Sequence, residues 1–290
     1  MKKLLVTGAS GFLGWNVCQA AQANWQVYGT YATHPITMPG VTLVQVNLTD
    51  YPALQNLFQT LQPDAVMHLA AQSSPNVCQT QPDAAYAINV TASANLAGLS
   101  ADRAIPCVFT SSDLVFDGQH PPYRETDPVC PLSRYGEQKA LAEIEMRSRH
   151  PGVAICRMPL MFGYAPHAAS FIQPFLKILR SGQPLSLFVD EIRTPVSGRD
   201  AAYGLLLALQ QVQGCLHLGG RDRLSRYEFG RHMVEVLELS AANISACRQA
   251  DVSMPAPRPP DVSLDSSKAF QLGYHPGLVR DELAVLRELL

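Results

Sequence analysis

The chain of 290 residues predicts an α/β fold in which a doubly wound parallel sheet carries a smaller C-terminal lobe. Three observations lead there. Near-continuous apolar runs alternate with helix-length amphipathic segments through the first half, the pattern of a parallel sheet covered on both faces. The first of these runs breaks at once into a glycine-punctuated turn, Thr7-Gly8-Ala9-Ser10-Gly11-Phe12-Leu13-Gly14. Beyond about residue 163 the alternation loosens into shorter pieces, which suits a lobe lying over the ligand edge of the sheet.

The strands are expected at 3–6, 26–31, 42–48, 65–69, 107–110 and 153–156. Helices are expected between them at 13–24, 51–61, 82–99 and 135–149, with Asp50 as N-cap of the second. Farther on, 168–181 reads as a helix, 184–188 and 193–196 as short extended pieces, 200–213 as a helix and 214–218 as a strand. The helix at 225–239 has Ser225 at its N-cap and Glu228 three residues on, the arrangement of a capping box. The proline-rich run 254–260 must be extended, because proline lacks an amide donor. Helices at 266–272 and 279–289 close the chain.

Hydrophobic residues make up 47% of the chain and charged ones 16%, which suits a well-buried core. A net charge of −2 gives no field that would draw the chain to nucleic acid or an anionic membrane. The apolar run after Met1-Lys2-Lys3 stops at Thr7-Gly8, too short for a signal peptide, and no segment has the length of a bilayer span. The seven cysteines are scattered singly, with no Cys-x-x-Cys and no zinc spacing, so free thiols in a reducing cytoplasm are expected and no metal site. Glu143, Glu145 and Asp190 read as members of solvated faces.

A strand that breaks into glycines and then a helix aims bare amides and the helix's positive end at one spot, where a pyrophosphate binds. Gly8 permits the turn, Gly11 lets phosphates approach, and Gly14 lets the helix pack close. The spacing is Gly-x-x-Gly-x-x-Gly. Farther along, Tyr135 and Lys139 stand at i and i+4 on one helix face. A free phenol has a pKa of about 10, and a neighbouring ammonium is expected to bring it down toward the working range. Ser111 and Ser112 end a strand in hydroxyls, where one can hydrogen-bond a substrate carbonyl oxygen.

Glycine turn, strand-end serine and Tyr-x-x-x-Lys helix, in this order, resemble the extended short-chain dehydrogenase/reductase superfamily, with its Rossmann-type sheet, over essentially the whole chain. His68-Leu69-Ala70-Ala71, Asn89-Val90-Thr91 and Arg157-Met158-Pro159-Leu160-Met161-Phe162-Gly163 are supporting matches. Within the superfamily, Ser111-Ser112-Asp113-Leu114-Val115-Phe116-Asp117-Gly118, Pro122-Tyr123-Arg124-Glu125, Arg258-Pro259 and Leu264-Asp265-Ser266-Ser267-Lys268 are similar to the dTDP-4-dehydrorhamnose reductases. Gln81-Pro82-Asp83-Ala84-Ala85, with Asn89-Val90 and Asn95-Leu96-Ala97, is still more similar to their relative, the regulatory β subunit of methionine adenosyltransferase.

The resemblance implies a dinucleotide-binding domain over 1–162, with a return at about 197–220, and a mostly substrate-binding lobe over 163–290. It implies Ser112, Tyr135 and Lys139 as catalytic residues, with Lys139 also holding the nicotinamide ribose. Gly8, Ser10, Gly11, Phe12, Leu13, Gly14, Thr33, His34, Asn47, Leu48, Leu69, Ala70, Ala71, Asn89, Ser111 and Pro159 would join Tyr135 and Lys139 around the cofactor. Gln72, Ser112, Asp113, Phe116, Leu160 and Arg193 would meet the substrate. The implied function is an NAD(P)-dependent reductase of a nucleotide-linked keto sugar, with Tyr135 as proton donor. A cofactor-binding regulatory subunit with a protein partner and a nucleotide-sugar epimerase stand as alternatives.

Several positions depart from the family pattern. Gly29-Thr30-Tyr31-Ala32-Thr33-His34 ends the second strand without an acid, which favours NADP and leaves NAD open. The arginines of the regulatory-subunit relatives are also missing there. Asn47 stands where many relatives have an adenine-contacting aspartate, and Leu160 where the rhamnose reductases have a tryptophan. Asp113 is followed by Leu114, so the second acid of the dehydratases is missing. Arg193 reads equally as a phosphate contact or a cap of the sheet edge. The helices at 82–99 and 135–149 carry apolar faces that either the sheet or a homodimer would bury.

Overall fold

Seven parallel strands form the central sheet of a computed structural model that describes residues 1–240 and 243–288. In chain order the strands are β1 (Lys3–Thr7), β2 (Gln26–Tyr31), β3 (Val41–Gln45), β4 (Ala65–His68), β5 (Cys107–Ser112), β6 (Ala154–Met158), β7 (Met161–Phe162), β8 (Leu185–Phe188), β9 (Ile192–Arg193), β10 (Val196–Ser197), β11 (Gly214–His217), β12 (Leu224–Ser225) and β13 (Ile244–Cys247). The helices are α1 (Phe12–Ala21), α2 (Tyr51–Leu61), α3 (Pro75–Thr80), α4 (Pro82–Tyr86), α5 (Ala92–Ala101), α6 (Arg134–Arg149), α7 (Ile172–Arg180), α8 (Gly198–Gln211), α9 (Arg226–Val236), α10 (Ser267–Gln271) and α11 (Val279–Arg287). The sheet runs β11-β6-β5-β4-β1-β2-β3. The chain therefore winds outward from β1 to β3, returns to β4 on the other side of β1, and winds out again. The crevice between the carboxyl ends of β1 and β4 is the switch point where ligands of such sheets gather.

Alternation along the strands assigns each residue a layer. Leu4 and Val6 join Val17 of α1 and Leu205 of α8 on one face, while Leu5 joins Phe58 of α2, Leu96 of α5 and Met146 of α6 on the other. The helices start where side chains cap them. Asp50 accepts the amide of Ala53 at 3.1 Å, and Ser225 and Glu228 form the expected capping box. The lobe has its own core of Phe162, Leu176, Leu187, Phe229, Met233 and Leu283, edged by the two-stranded ribbons β7/β10, β8/β13 and β9/β12.

The expected α/β sheet is present, and 26–31 and 51–61 keep their expected bounds. The helix expected at 82–99 is instead α4, a π turn over Ala87–Thr91 and α5. Asn89 in that turn bonds the backbone of Gln72 and the side chain of Gln138, and these bonds replace regular helical packing. The extended piece at 193–196 is divided between β9 and β10, because Thr194 and Pro195 turn the chain from one ribbon into the next. α3, β7, β12 and β13 were not foreseen; the strands among them are two to four residues long, too short for a periodic signal. The last helix is described to Arg287, and residue 289 lies outside the described residues. No helix of the described residues is long and apolar enough to cross a membrane.

Candidate active site

A cleft of about 720 Å³ opens at the carboxyl ends of β1, β2, β4, β5 and β6, with the lobe on its far side. Its near wall is the glycine turn. α1 begins at Phe12 behind Gly11, with no side-chain cap and no acid in its first turn, so its leading amides are free for an anion. A Cβ on Gly14 would lie 2.0 Å from the carbonyl oxygen of Gly8, so only glycine allows α1 to approach the turn this closely. Gly8 itself has φ +71°.

The floor is set by a directional hydrogen-bond chain. Ser93 donates its hydroxyl proton to the carbonyl of Asn89 at 2.7 Å, so its oxygen must accept from His68 Nε2 at 2.9 Å. His68 Nδ1 is then bare and accepts the Thr7 hydroxyl at 2.7 Å, and Thr7 Oγ1 accepts the amides of Leu69 and Ala70. Burial, helped by the charge of Lys139, pushes His68 down to about 3, so the imidazole is neutral and the chain keeps one direction. Leu69 and Ala70, held this way, line the cleft.

Across from the turn, Ser112, Tyr135 and Lys139 all line the same cleft. Ser133 caps α6 by accepting the amide of Gly136 at 3.3 Å. A Cβ on Gly136 would stand 2.1 Å from the carbonyl oxygen of Leu114, so the helix start packs directly on the turn after Ser112 and brings Tyr135 there. Lys139 is 2% exposed, and its ammonium lies over the Phe109 ring. Burial pushes it down to about 7, against the opposing pull of Glu143 and Cys78.

The Tyr135 phenol is held above its ordinary range by burial and by the Asp113 carboxylate, which the Ser112 hydroxyl only partly offsets. This reverses the expected downward shift. Desolvation sets the direction, and Lys139 is not among the groups that act on this phenol; its own ammonium is pushed down to about 7. The phenol thus keeps its proton at neutral pH, the state of an acid that donates.

Asp113 is 3% exposed and is pushed up to about 6 by burial, with Arg193 opposing. Arg193 Nε stands 3.4 Å from Asp113, and its other donors go to Glu191 and the carbonyls of Ile192 and Pro259. With these partners Arg193 still lines the cleft. Glu191, Arg226 and Arg258 also line this end and were missed. Arg226 bonds Glu191 at 3.2 Å and Arg258 bonds Asn76 at 3.1 Å. Arg258 lay in a family-like stretch, but nothing in the sequence marked Glu191 or Arg226, which come from a loop and a helix start.

The cleft gathers Gly8, Ser10, Gly11, Phe12, Leu13, Gly14, Asn47, Leu48, Leu69, Ala70, Ala71, Ser111, Ser112, Asp113, Tyr135, Lys139, Pro159, Leu160 and Arg193. Five expected residues lie outside its lining. Thr33 and His34 are exposed and bonded to each other at 2.8 Å. Gln72 is outside the lining too, its backbone pinned by Asn89, which is buried behind the wall. Phe116 is buried in a stack on Tyr123, with ring centroids 4.0 Å apart. Ile88 of the π turn lines the cleft and was not foreseen.

Glu143, expected on a solvated face, is buried and holds Arg157 through two bonds of 3.0 and 2.9 Å. Among the described residues no group of three or more His, Cys, Asp or Glu could hold a metal ion.

The family model of the RmlD substrate binding domain matches residues 1–285. Methionine adenosyltransferase 2 subunit beta of Pongo abelii is 31% identical over 281 residues, 94% of this chain and 83% of that protein. The probable low-salt glycan biosynthesis reductase Agl14 of Haloferax volcanii is 31% identical over 288 residues, 97% of this chain and 96% of that one. The structure of dTDP-4-dehydrorhamnose reductase from Bacillus anthracis in complex with NADP has a TM-score of 0.89 at 20% identity, covering 100% of both chains. The chain belongs to the RmlD substrate binding domain family.

Proposed function

We propose that this chain reduces the ketone of a nucleotide-linked keto sugar, as the names of its reductase relatives indicate for them. One observation carries the reading: a buried phenol that keeps its proton lines the same cleft as the glycine turn, Ser112 and Lys139. When bound, the nicotinamide cofactor supplies the hydride. The free leading amides of α1, behind the glycine turn, hold its pyrophosphate, and Lys139 holds its ribose. Tyr135 gives its proton to the developing alkoxide, and Ser112 donates a hydrogen bond to that oxygen. Residues 1–162, with the return at about 197–220, serve the cofactor, and 163–290 mostly serve the substrate. The seven free thiols suit the cytoplasm.

The test is NADPH oxidation by the purified protein over a panel of nucleotide keto sugars that includes a dTDP-4-keto-6-deoxy sugar. Turnover of none rules out the substrate class. Epimerisation would leave NADPH unconsumed. A second reading, that the chain also docks on a methionine adenosyltransferase, is favoured by the 31% identity to a subunit of one. Co-sedimentation with that enzyme supports it, and independent sedimentation removes it.

A further inference from the structure

Ser112 has one hydroxyl proton, and it goes to Asp113 Oδ1 at 3.0 Å. The same hydroxyl oxygen accepts the Leu114 amide at 3.2 Å. The donor that the proposed reaction needs is thus tied inside the protein. Asp113 lines the cleft, and its Oδ2 has no hydrogen bond. The groups that face this carboxylate are few. Arg193 stands against Oδ2 at 3.4 Å, Glu191 and Arg226 act from behind Arg193, and Tyr135 faces it from α6. Nothing in the mechanism above uses a buried acid at this place.

We propose that Asp113 is a positioning residue acting through Ser112. As a carboxylate it keeps the Ser112 proton from the substrate oxygen, and as a carboxylic acid it lets that proton go. The inference rests on the reading of Ser112 as the donor to that oxygen. A hydrogen bond to an ionised acceptor is about twice as strong as one to a neutral acceptor, so the two states of Asp113 hold Ser112 unequally. Burial against the pull of Arg193 leaves the acid with a pKa of about 6, so both states are populated near neutrality. Reduction should therefore speed up as pH falls through this region.

Asp113→Asn keeps an oxygen acceptor for Ser112 but has no charge to titrate. Reduction of a dTDP-4-keto-6-deoxy sugar by NADPH is followed from pH 5 to pH 8 in wild type and Asp113→Asn, with kcat and KM separated. The Lys139 ionisation is common to both, so their ratio isolates Asp113. The expected result is a wild-type kcat that falls severalfold across pH 6 relative to the variant, with little change in KM. Matching profiles, or a difference confined to KM, overturn the proposal.

A second arm needs no substrate and no Asp113 variant in working order. The Asp113 carboxyl carbon is titrated by NMR in wild type and in Ser112→Ala. The midpoint is expected to move upward when the Ser112 bond is removed, and an unchanged midpoint overturns the proposal. If no keto sugar is turned over, the reductase reading fails, and this titration still decides whether the two side chains are coupled.

Discussion

The ammonium of Lys139 lies 4.1 Å from the centroid of the Phe109 ring. The ring belongs to β5 and the ammonium to α6, so the contact links the strand that ends in Ser112 to the helix that starts at Tyr135. A ring face partly replaces the water that the buried cation has lost. Phe109→Leu should therefore lower the Lys139 pKa further below about 7, by up to about one unit. NMR titration of the lysine side chain measures this, and an unmoved midpoint means the ring contributes nothing.

Two buried histidines set the acid limb of stability. Burial pushes His68 and His217 down to about 3 from an ordinary value of 6.5. Between these values the unfolded chain binds protons that the folded chain does not, so stability falls as pH drops from about 6.5 toward 3. Asp113 acts oppositely: raised to about 6, it binds a proton in the folded state first and offsets part of the loss above pH 4. Urea unfolding from pH 7 to pH 4 should show declining stability, with a shallower decline in His68→Gln. A pH-independent midpoint contradicts the two buried neutral imidazoles.

Gly136→Ala should be costly although it sits in a helix, where alanine is ordinarily favoured. The added methyl would meet the Leu114 carbonyl, a backbone atom that cannot swing away. A loss of about 1–3 kcal/mol is expected, together with loss of turnover as Tyr135 is displaced from the turn after Ser112. Thermal melting checks the first and NADPH oxidation the second. A variant as stable and active as wild type would mean that α6 does not pack this closely.

Between Lys3 and Arg103 the sequence contains no lysine or arginine, and the cleft wall at the ends of β2 and β3 is formed by Tyr31, Ala32, Val46 and Asn47 without a charge. Arginine beside that strand end is the usual partner of a 2′-phosphate. Ala32→Arg should therefore tighten NADPH relative to NADH by about tenfold or more, the worth of one charge-assisted hydrogen bond. Fluorescence titration of the two cofactors measures the ratio; no change would put the 2′ position elsewhere.

Much of the site was legible because its signals are local. Gly8, Gly11 and Gly14 follow a strand directly, and Tyr135 and Lys139 are one helical turn apart, so spacing alone brings them together. The sign of the Tyr135 shift was not legible, since burial depends on how α6 packs on the Leu114 turn and not on which residue lies four positions away. Asp113 and Arg193 were expected near the substrate, but their grouping with Glu191 and Arg226 was hidden for a related reason. Its members come from the turn after a strand, a loop, a two-residue strand and a helix start, and only the tertiary fold puts them side by side. The break of the long helix at Ala87–Thr91 was hidden because its cause, the bonds of Asn89 to Gln72 and Gln138, spans distant residues.

The account depends most on Tyr135 as the proton donor, and one comparison reaches it directly. NADPH oxidation with a dTDP-4-keto-6-deoxy sugar is measured for wild type and Tyr135→Phe, with the NADPH dissociation constant determined on the same samples. The expected result is a loss of about 10²–10⁴ in kcat with cofactor affinity unchanged. A variant that turns over within a few-fold of wild type, with NADPH equally well bound, would contradict it.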